Sequence, residues 1–410
     1  MLSRVLKMLK TLRSVLRFRA IELDGNIRRL NRAVNIDDMR RLARRRLPRG
    51  VFDYIDGGAD DELSMRRNEE GFGKIDFCPR VLRDMDGLDT STTLLGKPLP
   101  FPLVLAPTGM TRIVSPGGEL DVARAAQQAG IPYSLSTMGT RSIEEVAAVN
   151  QGTKWFQVYV WKDRGLVKEL LERAAEAGYE TILITVDTAT VGNRERDVRH
   201  GFTAPPKVGL ETIVDGLLHP SWTWKFVTSE PMLFANVIGN EDREGNDAVS
   251  LSKYCAEQFD SSLAWRDIEW FQQHWKGQII IKGIQSVEDA KLAVQAGIPA
   301  IAVSNHGGRQ LDSAPPSIEL IEPIADAVGA DIEIICDGGI RRGSDIVKAI
   351  ALGADACMIG RPYLYGLAVA GQRGVERTIE HLREGMIRTL ALTGCANVTG
   401  ITRDLISFRG

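Results

Sequence analysis

The sequence predicts an α/β protein, a (β/α)8 TIM barrel with an N-terminal helical extension and a long insertion after the fourth barrel strand. Three observations predict this fold class. Eight short apolar segments follow one another along the chain, several follow a helical stretch that ends in small residues and glycine, and nearly all precede a polar side chain. Parallel barrels alternate strands and helices in this way and carry their sites at the carboxyl ends of the strands.

The length agrees with one large domain. The chain has 410 residues, and a barrel with insertions takes about 250 to more than 400 residues as a single unit. We divide the chain into a basic amphipathic N-terminal tail, residues 1–35, and a barrel domain, residues 36–410.

Residues 1–20 combine basic side chains, and no acidic ones, with apolar residues at helical spacing. The basic residues are Arg4, Lys7, Lys10, Arg13, Arg17 and Arg19, and the apolar residues are Leu2, Val5, Leu6, Leu9, Leu12, Val15 and Leu16. This pattern predicts a basic amphipathic helix, for which contact with a membrane surface is the favoured interpretation. A tail packed on a neighbouring subunit, a frayed tail and an organellar presequence are the alternatives. No run of about 18 apolar residues occurs, so we expect no membrane-spanning segment.

Residues 21–100 are predicted to form a helical layer before the barrel, with one helix over Ile36–Arg46. The predicted barrel strands are Leu103–Ala106, Tyr133–Ser136, Trp155–Val160, Ile182–Val186, Ile279–Lys282, Ile301–Ser304, Ile332–Cys336 and Ala356–Ile359. The helical stretches that precede the second, fourth, sixth and eighth of these strands end in glycine, at Gly130, Gly178, Gly297 and Gly353. A helix that ends on glycine and leads into a short buried strand is typical of βα units.

The predicted insertion covers roughly Phe202 to Asp260. Its first half is rich in large apolar residues, namely Trp222, Trp224, Phe226, Met232, Leu233 and Phe234, and a polar stretch follows over Gly239 to Gly245. Loops of this length are usually functional or disordered. The aromatic half could pack against the barrel, cover a pocket or touch a membrane, and the sequence leaves these three interpretations open.

Composition excludes one class of partner. The formal net charge of -2 and a pI near 6.3 argue against nucleic acid as the main ligand, so the ligand is sought in a pocket. The five cysteines form no C-x-x-C pair. Three of them lie in or beside apolar segments, and we expect reduced, buried thiols in a cytosolic protein.

The segment Ser304 to Asp312 follows the sixth strand and contains His306 and Arg309, separated by two glycines. An imidazole can accept a proton at neutral pH, and a guanidinium can bind a carboxylate with two parallel hydrogen bonds. Together they are suited to a small anionic substrate. The chain is therefore predicted to be an enzyme.

Each of the remaining seven predicted strands also offers a polar group at or near its carboxyl end. These groups are Thr108, Ser136, Gln157, Tyr159, Thr185, Asp187, Lys282, Asp337 and Arg361. Ser136 or Thr185 alone could be a satisfied polar residue of the core. Because the strands of a barrel open at one mouth, the whole set indicates a functional site.

Two glycine-containing turns follow the last two strands, Asp337 to Gly343 and Ile359 to Pro362. Barrels commonly bind phosphate at this position through backbone amides and a helix N-terminus. Paired glycines also form plain tight turns, but their placement after strands seven and eight favours a phosphate-bearing cofactor. We predict no metal site.

These motifs together resemble the FMN-dependent α-hydroxy acid dehydrogenase and oxidase family, over residues 36–405. The resemblance rests on Phe52-Asp53-Tyr54, Ala106-Pro107-Thr108-Gly109, Phe156-Gln157-Val158-Tyr159, Thr185-Val186-Asp187, Ile281-Lys282-Gly283, Ser304 to Asp312 and Asp337 to Gly343. It implies FMN as cofactor and a small L-2-hydroxy acid as substrate. Within the family, the pattern is most similar to the respiratory L-lactate dehydrogenases, which implies L-lactate oxidised to pyruvate.

The resemblance also implies residue roles. His306 corresponds to the base, Asp187 to its carboxylate partner, and Tyr159 to the residue that hydrogen-bonds the substrate hydroxyl. Tyr54, Arg194 and Arg309 correspond to the groups that bind the substrate carboxylate. The implied FMN-binding residues are Pro107, Thr108, Gly109, Ser136, Gln157, Thr185, Lys282, Ser304, Asp337, Gly338, Gly339, Arg341, Gly360 and Arg361.

Two departures bear on substrate and acceptor. Gly109 and Met138 stand where glycolate oxidase has alanine and tryptophan, so the pocket wall differs, and the glycine favours a dehydrogenase. No haem-domain sequence precedes the barrel, so membrane quinone is the favoured acceptor, with a protein that is cytoplasmic and peripheral on the inner face of the cell membrane. Relatives are often tetramers, which implies a homo-oligomer.

Several alternatives remain open. The same chemistry could use oxygen, as in 2-hydroxy acid oxidases or lactate monooxygenase, or could act on a mandelate-type or glycolate-type acid. A relative that modifies a peptide is disfavoured because Arg309 and Gln310 are intact. A flavin-free aldolase with a Schiff base on Lys282, or a non-catalytic binding module, would belong to other classes of protein.

Overall fold

The computed structural model describes Arg4, Lys7, Thr11 and residues 22–200, 209–237 and 259–409. The predicted helix of the N-terminal tail therefore lies largely outside the described residues, as do the polar stretch Gly239 to Gly245 and Cys255. Of the other cysteines, Cys336, Cys357 and Cys395 are buried free thiols, whereas Cys78 is exposed.

The centre of the fold is a closed barrel of eight parallel strands, as the sequence predicted. The strands follow one another around the barrel in chain order, and the last pairs with the first. They are β4 (Leu103–Leu105), β5 (Tyr133–Ser136), β6 (Lys154–Tyr159), β7 (Thr181–Thr185), β8 (Gln278–Ile284), β9 (Ala300–Ser304), β10 (Glu333–Asp337) and β11 (Ala356–Ile359). The predicted bounds differ from these by only one or two residues, because each strand is a nearly continuous apolar run, as expected where both faces are buried.

Helices surround the barrel and alternate with its strands. They are α5 (Gly118–Ala129), α6 (Ile143–Val149), α7 (Arg164–Glu176), α11 (Ile268–His274), α12 (Val287–Gln295), α13 (Ser317–Val328), α14 (Gly343–Ala351), α15 (Arg361–Ala370) and α16 (Gln372–Thr393). Local sequence explains their ends: Ser142 and Glu145 form a capping box at the start of α6, and Gly130 ends α5 in the left-handed conformation.

A short hairpin covers the amino-terminal end of the barrel. Strands β2 (Thr92–Leu94) and β3 (Lys97–Leu99) pair antiparallel, and Leu94 and Leu99 pack into the cluster of side chains that fills the barrel interior. The Leu95 amide donates to Glu333 at the start of β10. With this end filled by apolar side chains, the opposite mouth is left for polar groups.

The N-terminal layer contains four helices, α1 (Gly25–Leu30), α2 (Ile36–Arg46), α3 (Arg49–Asp56) and α4 (Leu63–Gly73). The helix predicted over Ile36–Arg46 is confirmed. The layer is not only helical, however, because β2, β3 and β1 (Ile75–Phe77) also lie within it. Strand β1 pairs antiparallel with the C-terminal strand β12 (Ile406–Phe408). This pairing depends on residues more than 300 positions apart, so no local pattern in the sequence predicts it.

The insertion lies between β7 and β8, as predicted. Helix α8 (Glu195–Arg199) precedes it, and its described part contains α9 (Leu210–Leu218) and α10 (Pro220–Val227). Part of its aromatic half packs against the barrel: Phe234 is buried, and the Trp222 indole donates to the Ile113 carbonyl at 2.8 Å. Large apolar side chains on α9 and α10 are exposed instead, among them Leu217, Leu218, Trp224 and Val227. Among the described residues, no helix is both long and apolar enough to cross a membrane.

Candidate active site

A cavity of about 1680 Å³ opens at the carboxyl ends of the barrel strands. Most of the predicted site residues line it, namely Tyr54, Pro107, Thr108, Gly109, Gln157, Tyr159, Thr185, Arg194, Lys282, His306, Arg309, Asp337, Gly338, Gly339, Arg341, Gly360 and Arg361. Ser136, Asp187 and Ser304 lie behind the wall, and each is hydrogen-bonded to a lining residue. The predicted set is therefore brought together at one mouth.

His306 and Asp187 form a buried pair. The His306 Nδ1 atom lies 3.1 Å from Asp187 Oδ1 and 3.2 Å from Oδ2. Because an ionised carboxylate can only accept, this contact places the proton of a neutral imidazole on Nδ1 and leaves Nε2 as the basic nitrogen.

The electrostatics of the site keep this imidazole neutral. Burial lowers the pKa of His306 below its ordinary value of 6.5, and the positive charges of Lys282 and Arg194 act in the same direction, against Asp187. Burial alone would raise the pKa of Asp187, but interactions with His306 and Lys282 outweigh it and lower that pKa. The pair is therefore a neutral base beside a carboxylate that can stabilise an imidazolium.

Three glycines and the left-handed backbone of His306 determine the geometry of the His306–Asp187 pair. His306 has φ of +57° and is followed by Gly307 and Gly308, which are also left-handed. At the bulge between β8 and β9, Gly283 has φ of +112°, and a Cβ there would lie 2.9 Å from the Cβ of Asp187. Glycine at this position leaves room for Asp187 to reach the imidazole. A left-handed backbone conformation costs free energy for a residue other than glycine, and such residues often occur at functional sites.

Arg309, Tyr54 and Arg194 form a positively charged cluster beside the imidazole. The Arg309 guanidinium donates to the backbone carbonyls of Tyr54 and Gly57, at 2.7 and 3.1 Å, and stacks over the Tyr54 ring at 5.2 Å. Arg194 donates to the Arg309 carbonyl at 3.4 Å. Within the described part of the chain, no carboxylate lies within ion-pair distance of Arg309, so this arrangement can receive an anionic group.

Two tyrosine hydroxyls border the same space. Burial raises the pKa of Tyr159 to about 12 and also raises the pKa of Tyr54. Both hydroxyls are therefore protonated at neutral pH and can donate hydrogen bonds to a substrate.

A buried ammonium lies at the floor of the cavity. Lys282 Nζ is 2.8 Å from Asp337 Oδ2 and donates to Ser304 Oγ at 2.9 Å, while Ser304 Oγ donates to the same Asp337 oxygen. Burial alone would lower the pKa of Lys282, but Asp337 and Asp187 outweigh it and raise the pKa. Lys282 therefore presents a permanent positive charge to the cavity.

Neutral donors and acceptors complete the wall. Ser136 Oγ donates to Gln157 Oε1 at 2.9 Å, and Gln157 Nε2 donates to Thr185 Oγ1 at 2.9 Å. Thr108 Oγ1 lies 2.7 Å from the hydroxyl of Tyr363. Amides, hydroxyls and an ammonium in this arrangement suit the polar edge of a flat heterocycle.

The other end of the cavity is suited to phosphate. Arg361 donates to the carbonyls of Gly307 and Gly57, but its buried Nε atom has no partner among the described residues. Gly338 and Gly339 have positive φ, and a Cβ on Gly339 would come within 1.9 Å of the Asn68 carbonyl. Close packing thus accounts for one glycine, and an unpartnered guanidinium nitrogen accommodates a phosphate oxygen. The residues fit an FMN group.

Three further side chains line or support the site; Gln310 was named from the sequence only as an intact neighbour of Arg309, and Tyr363 and Asp197 were not predicted. Tyr363 supports Thr108, and the Gln310 side chain donates to the carbonyls of Asp187 and Thr190, which ties the loop after β7 to the loop after β9. Asp197 lines the cavity and is only 8% exposed. Its position three residues after Arg194, on a short helix, was the one available signal, because residues three apart share a helix face.

Comparisons with known proteins support the expected family. Residues 43–408 match the profile of the family described as FMN-dependent dehydrogenase. A Mycobacterium tuberculosis protein provisionally named an L-lactate dehydrogenase is 46% identical over 386 residues, 94% of this chain and 92% of that protein. The L-lactate dehydrogenase of Actinobacillus pleuropneumoniae is 42% identical over 374 residues, 90% of this chain and 97% of that protein.

Solved structures give the same picture. The crystal structure of (S)-mandelate dehydrogenase, described as a monotopic membrane protein, superposes with a TM-score of 0.88 at 37% identity, covering 92% of this chain and 99% of that one. A mandelate oxidase in complex with a fluorinated 2-hydroxy acid superposes with a TM-score of 0.77, also at 37% identity and with the same coverage.

Proposed function

Because the chain belongs to the FMN-dependent dehydrogenase family, we propose that it oxidises L-lactate to pyruvate and passes the electrons to a membrane quinone. The coarser assignment, an FMN-dependent 2-hydroxy acid dehydrogenase, follows from the family and its lactate-oxidising relatives. Substrate, acceptor and residue roles are the finer part of the proposal.

The observation that carries the proposal is the position of a neutral, buried imidazole beside the Arg309 and Arg194 guanidinium groups, which have no carboxylate of the described residues within ion-pair distance. His306 is the base, and Asp187 fixes its tautomer and stabilises the imidazolium. Arg309, Tyr54 and Arg194 bind the substrate carboxylate. This arrangement holds the carboxylate of a 2-hydroxy acid while a base reaches its α-carbon or its hydroxyl.

The remaining residues orient and hold the reactants. Tyr159 donates to the substrate hydroxyl, and Lys282 offers positive charge to the reducible ring. FMN, when bound, supplies the two-electron acceptor for the oxidation, and Thr108, Gln157, Thr185 and Arg361 are among the residues that hold it. Removal of the α-proton and removal of the hydroxyl proton both need His306 as the base and the same residues to bind the carboxylate, so the proposal covers either route.

Membrane quinone as acceptor is supported by one feature of the sequence and one of the structure. The basic tail of residues 1–20 is amphipathic in sequence, and α9 and α10 expose Leu217, Leu218 and Trp224 close to the cavity they help to line. Exposed apolar patches of this kind are typical of membrane contact. We propose peripheral attachment to the inner face of the cell membrane. A homotetramer, implied by family resemblance, stays a prediction.

A mandelate-type acid is the second candidate substrate. The solved mandelate dehydrogenase is 37% identical to this chain, and Met138 and Gly109, which stand where glycolate oxidase has tryptophan and alanine, lie in the cavity wall. Oxygen as acceptor is the corresponding alternative for the second half of the reaction, since a mandelate oxidase is also 37% identical to this chain.

Anaerobic reduction of the bound flavin tests the proposal. L-lactate, glycolate, L-mandelate and longer acids are added in turn to the holoenzyme, and bleaching of the flavin is followed by absorbance. Reoxidation by a soluble quinone analogue or by air, with assay of hydrogen peroxide, then identifies the acceptor. Failure of every 2-hydroxy acid to bleach the flavin would rule out the proposed reaction, and borohydride trapping of a substrate on Lys282 would favour an aldolase.

A further inference from the structure

Arg196 lies outside the cavity, yet it joins the two chain segments that carry the proposed carboxylate clamp. Its guanidinium donates from Nε and Nη2 to the two carboxylate oxygens of Glu62, at 2.6 and 2.7 Å. Its Nη1 atom also donates to Asp53 and Asp56, at 3.2 Å each. One side chain on α8 thus contacts two carboxylates of α3 and the residue that precedes α4.

Two of the acidic partners also accept hydrogen bonds from other groups. Asp56 accepts two hydrogen bonds from Arg40 and one from the Tyr365 hydroxyl. Burial opposes ionisation of Asp56, but these donors outweigh it and lower its pKa to about 2. Glu62 also accepts the amide of Gly58. Without Arg196, α8 would lose its ion pairs to Glu62, Asp53 and Asp56, so this attraction would no longer hold α8 against α3.

All three clamp residues depend on these two helices. Tyr54 is on α3, and the carbonyls of Tyr54 and Gly57 at the end of that helix accept the hydrogen bonds of Arg309. Arg194 immediately precedes α8. A shift of α3 relative to α8 therefore changes the position of Arg194 relative to the Tyr54 hydroxyl. It also changes the position of Arg194 relative to the two carbonyls that hold Arg309.

We infer that Arg196 is a positioning residue for substrate binding, which fixes the carboxylate clamp by holding helix α3 against helix α8. This inference rests on the proposed function, in which Tyr54, Arg194 and Arg309 bind the carboxylate. Arg196 itself does not line the cavity, so its effect is expected on substrate affinity more than on the limiting rate.

Arg173 provides a matched control. It lies on α7, its side chain is 24% exposed against 25% for Arg196, and it also binds one glutamate with two hydrogen bonds, from Nε and Nη2 to Glu144. Its removal costs a two-fold arginine–glutamate pair in a part of the fold that holds no clamp residue. Arg196→Met loses such a pair too, but it also loses the contacts to Asp53 and Asp56 on the helix that carries Tyr54.

The probe is oxalate, a dicarboxylate with no α-hydrogen to remove, whose binding to the holoenzyme is followed by the change in the flavin absorption spectrum. In Arg196→Met the oxalate dissociation constant and the KM for L-lactate should rise about tenfold, since small displacements of a binding group cost orders of magnitude. The limiting rate of flavin reduction at saturating L-lactate should change by less than about threefold. Arg173→Met should bind oxalate as the wild type does.

Arg196→Lys and Glu62→Gln extend the test to variants that keep more of the packing. Lysine keeps the charge without the two-fold contact, so its oxalate affinity should fall between wild type and Arg196→Met, and Glu62→Gln should weaken oxalate in the same direction. Equal oxalate affinity in wild type, Arg196→Met and Arg173→Met, or in the two milder variants if Arg196→Met does not fold, would overturn the inference. A wild-type flavin that no 2-hydroxy acid reduces would instead overturn the proposed function, so the two failures are distinct.

Discussion

His306 and Asp187 are 119 positions apart in sequence, yet their side chains meet at 3.1 Å in the barrel mouth. The contact fixes which nitrogen of the imidazole is basic, because the carboxylate accepts a hydrogen bond from Nδ1–H and leaves Nε2 without a proton. We therefore expect Asp187→Asn to favour the other tautomer of His306, since the amide nitrogen can donate to Nδ1 and leave the proton on Nε2. Flavin reduction by L-lactate, followed by anaerobic stopped-flow, should slow by about 10³ to 10⁴, the scale of such changes in other histidine–carboxylate pairs.

Two substitutions distinguish the contribution of the base from that of the carboxylate-binding arginine. His306→Ala and Arg309→Ala should both retain bound flavin but lose most turnover, the first by removing the base and the second by releasing the substrate carboxylate. Flavin content by absorbance and steady-state turnover measure the two effects. Near-normal activity of His306→Ala would end the assignment of this residue as the base.

The pH dependence of flavin reduction should report the imidazole. His306 is active when neutral, and burial holds its pKa below 6.5, so the rate should be level at and above neutral pH and fall as pH drops below that pKa. The pH profile of kcat/KM for L-lactate, which reports groups of the free enzyme, is the measurement. A profile that falls as pH rises from about 5 to 8 would contradict a neutral base.

Gly283 should tolerate no side chain. Its φ of +112° disfavours any other residue, and a Cβ would come 2.9 Å from the Cβ of Asp187, so Gly283→Ala should push Asp187 away from the imidazole. We expect turnover to fall by about 10² with flavin still bound. Gly297→Ala is the control, because Gly297 also has positive φ but a Cβ there meets nothing within 4 Å. Equal activity of the two variants would contradict the displacement of Asp187.

Lys282→Met should affect both stability and the flavin. The Asp337 carboxylate would be left buried with Ser304 as its hydrogen-bond donor, which costs about 3–5 kcal/mol, and the cavity would lose a positive charge that favours the reduced ring. The melting temperature and the flavin midpoint potential should both fall. Lys154→Met, at the start of β6 and only 8% exposed, removes a buried ammonium far from Asp337 along the chain and should leave the potential unchanged.

The exposed face of α9 and α10 should bind membranes. Trp224 is 72% exposed on α10, and Leu392 is 70% exposed on α16, outside the insertion. Burial of such a side chain in lipid contributes about 2 kcal/mol, so Trp224→Glu should reduce co-sedimentation with phospholipid vesicles about tenfold, whereas Leu392→Glu should not. Turnover with a soluble acceptor should be the same in both. Undiminished vesicle binding by Trp224→Glu would assign membrane contact to other parts of the chain.

Much of the site was predictable because barrel geometry converts chain order into proximity. Residues that follow parallel strands must meet at one mouth, so Thr108, Lys282 and Asp337 could be placed together from their positions after strands one, five and seven. Of the residues named in advance, only Ser136, Asp187 and Ser304 do not line the cavity. They lie one hydrogen bond further out, a distinction that depends on side-chain direction and that a strand boundary known to within a residue or two cannot resolve.

Sequence by itself determined the barrel, the position of the insertion and the residue types at the mouth, because hydrophobic periodicity and glycine placement are local signals. Tertiary structure alone decided that Gly283 makes room for Asp187, that Arg309 is held by carbonyls of α3, and that Arg196 joins α3 to α8. It also decided that Trp222 and Phe234 pack inward while Trp224 is exposed. These relationships depend on close packing and on contacts between residues distant in sequence, which no window of neighbouring residues contains.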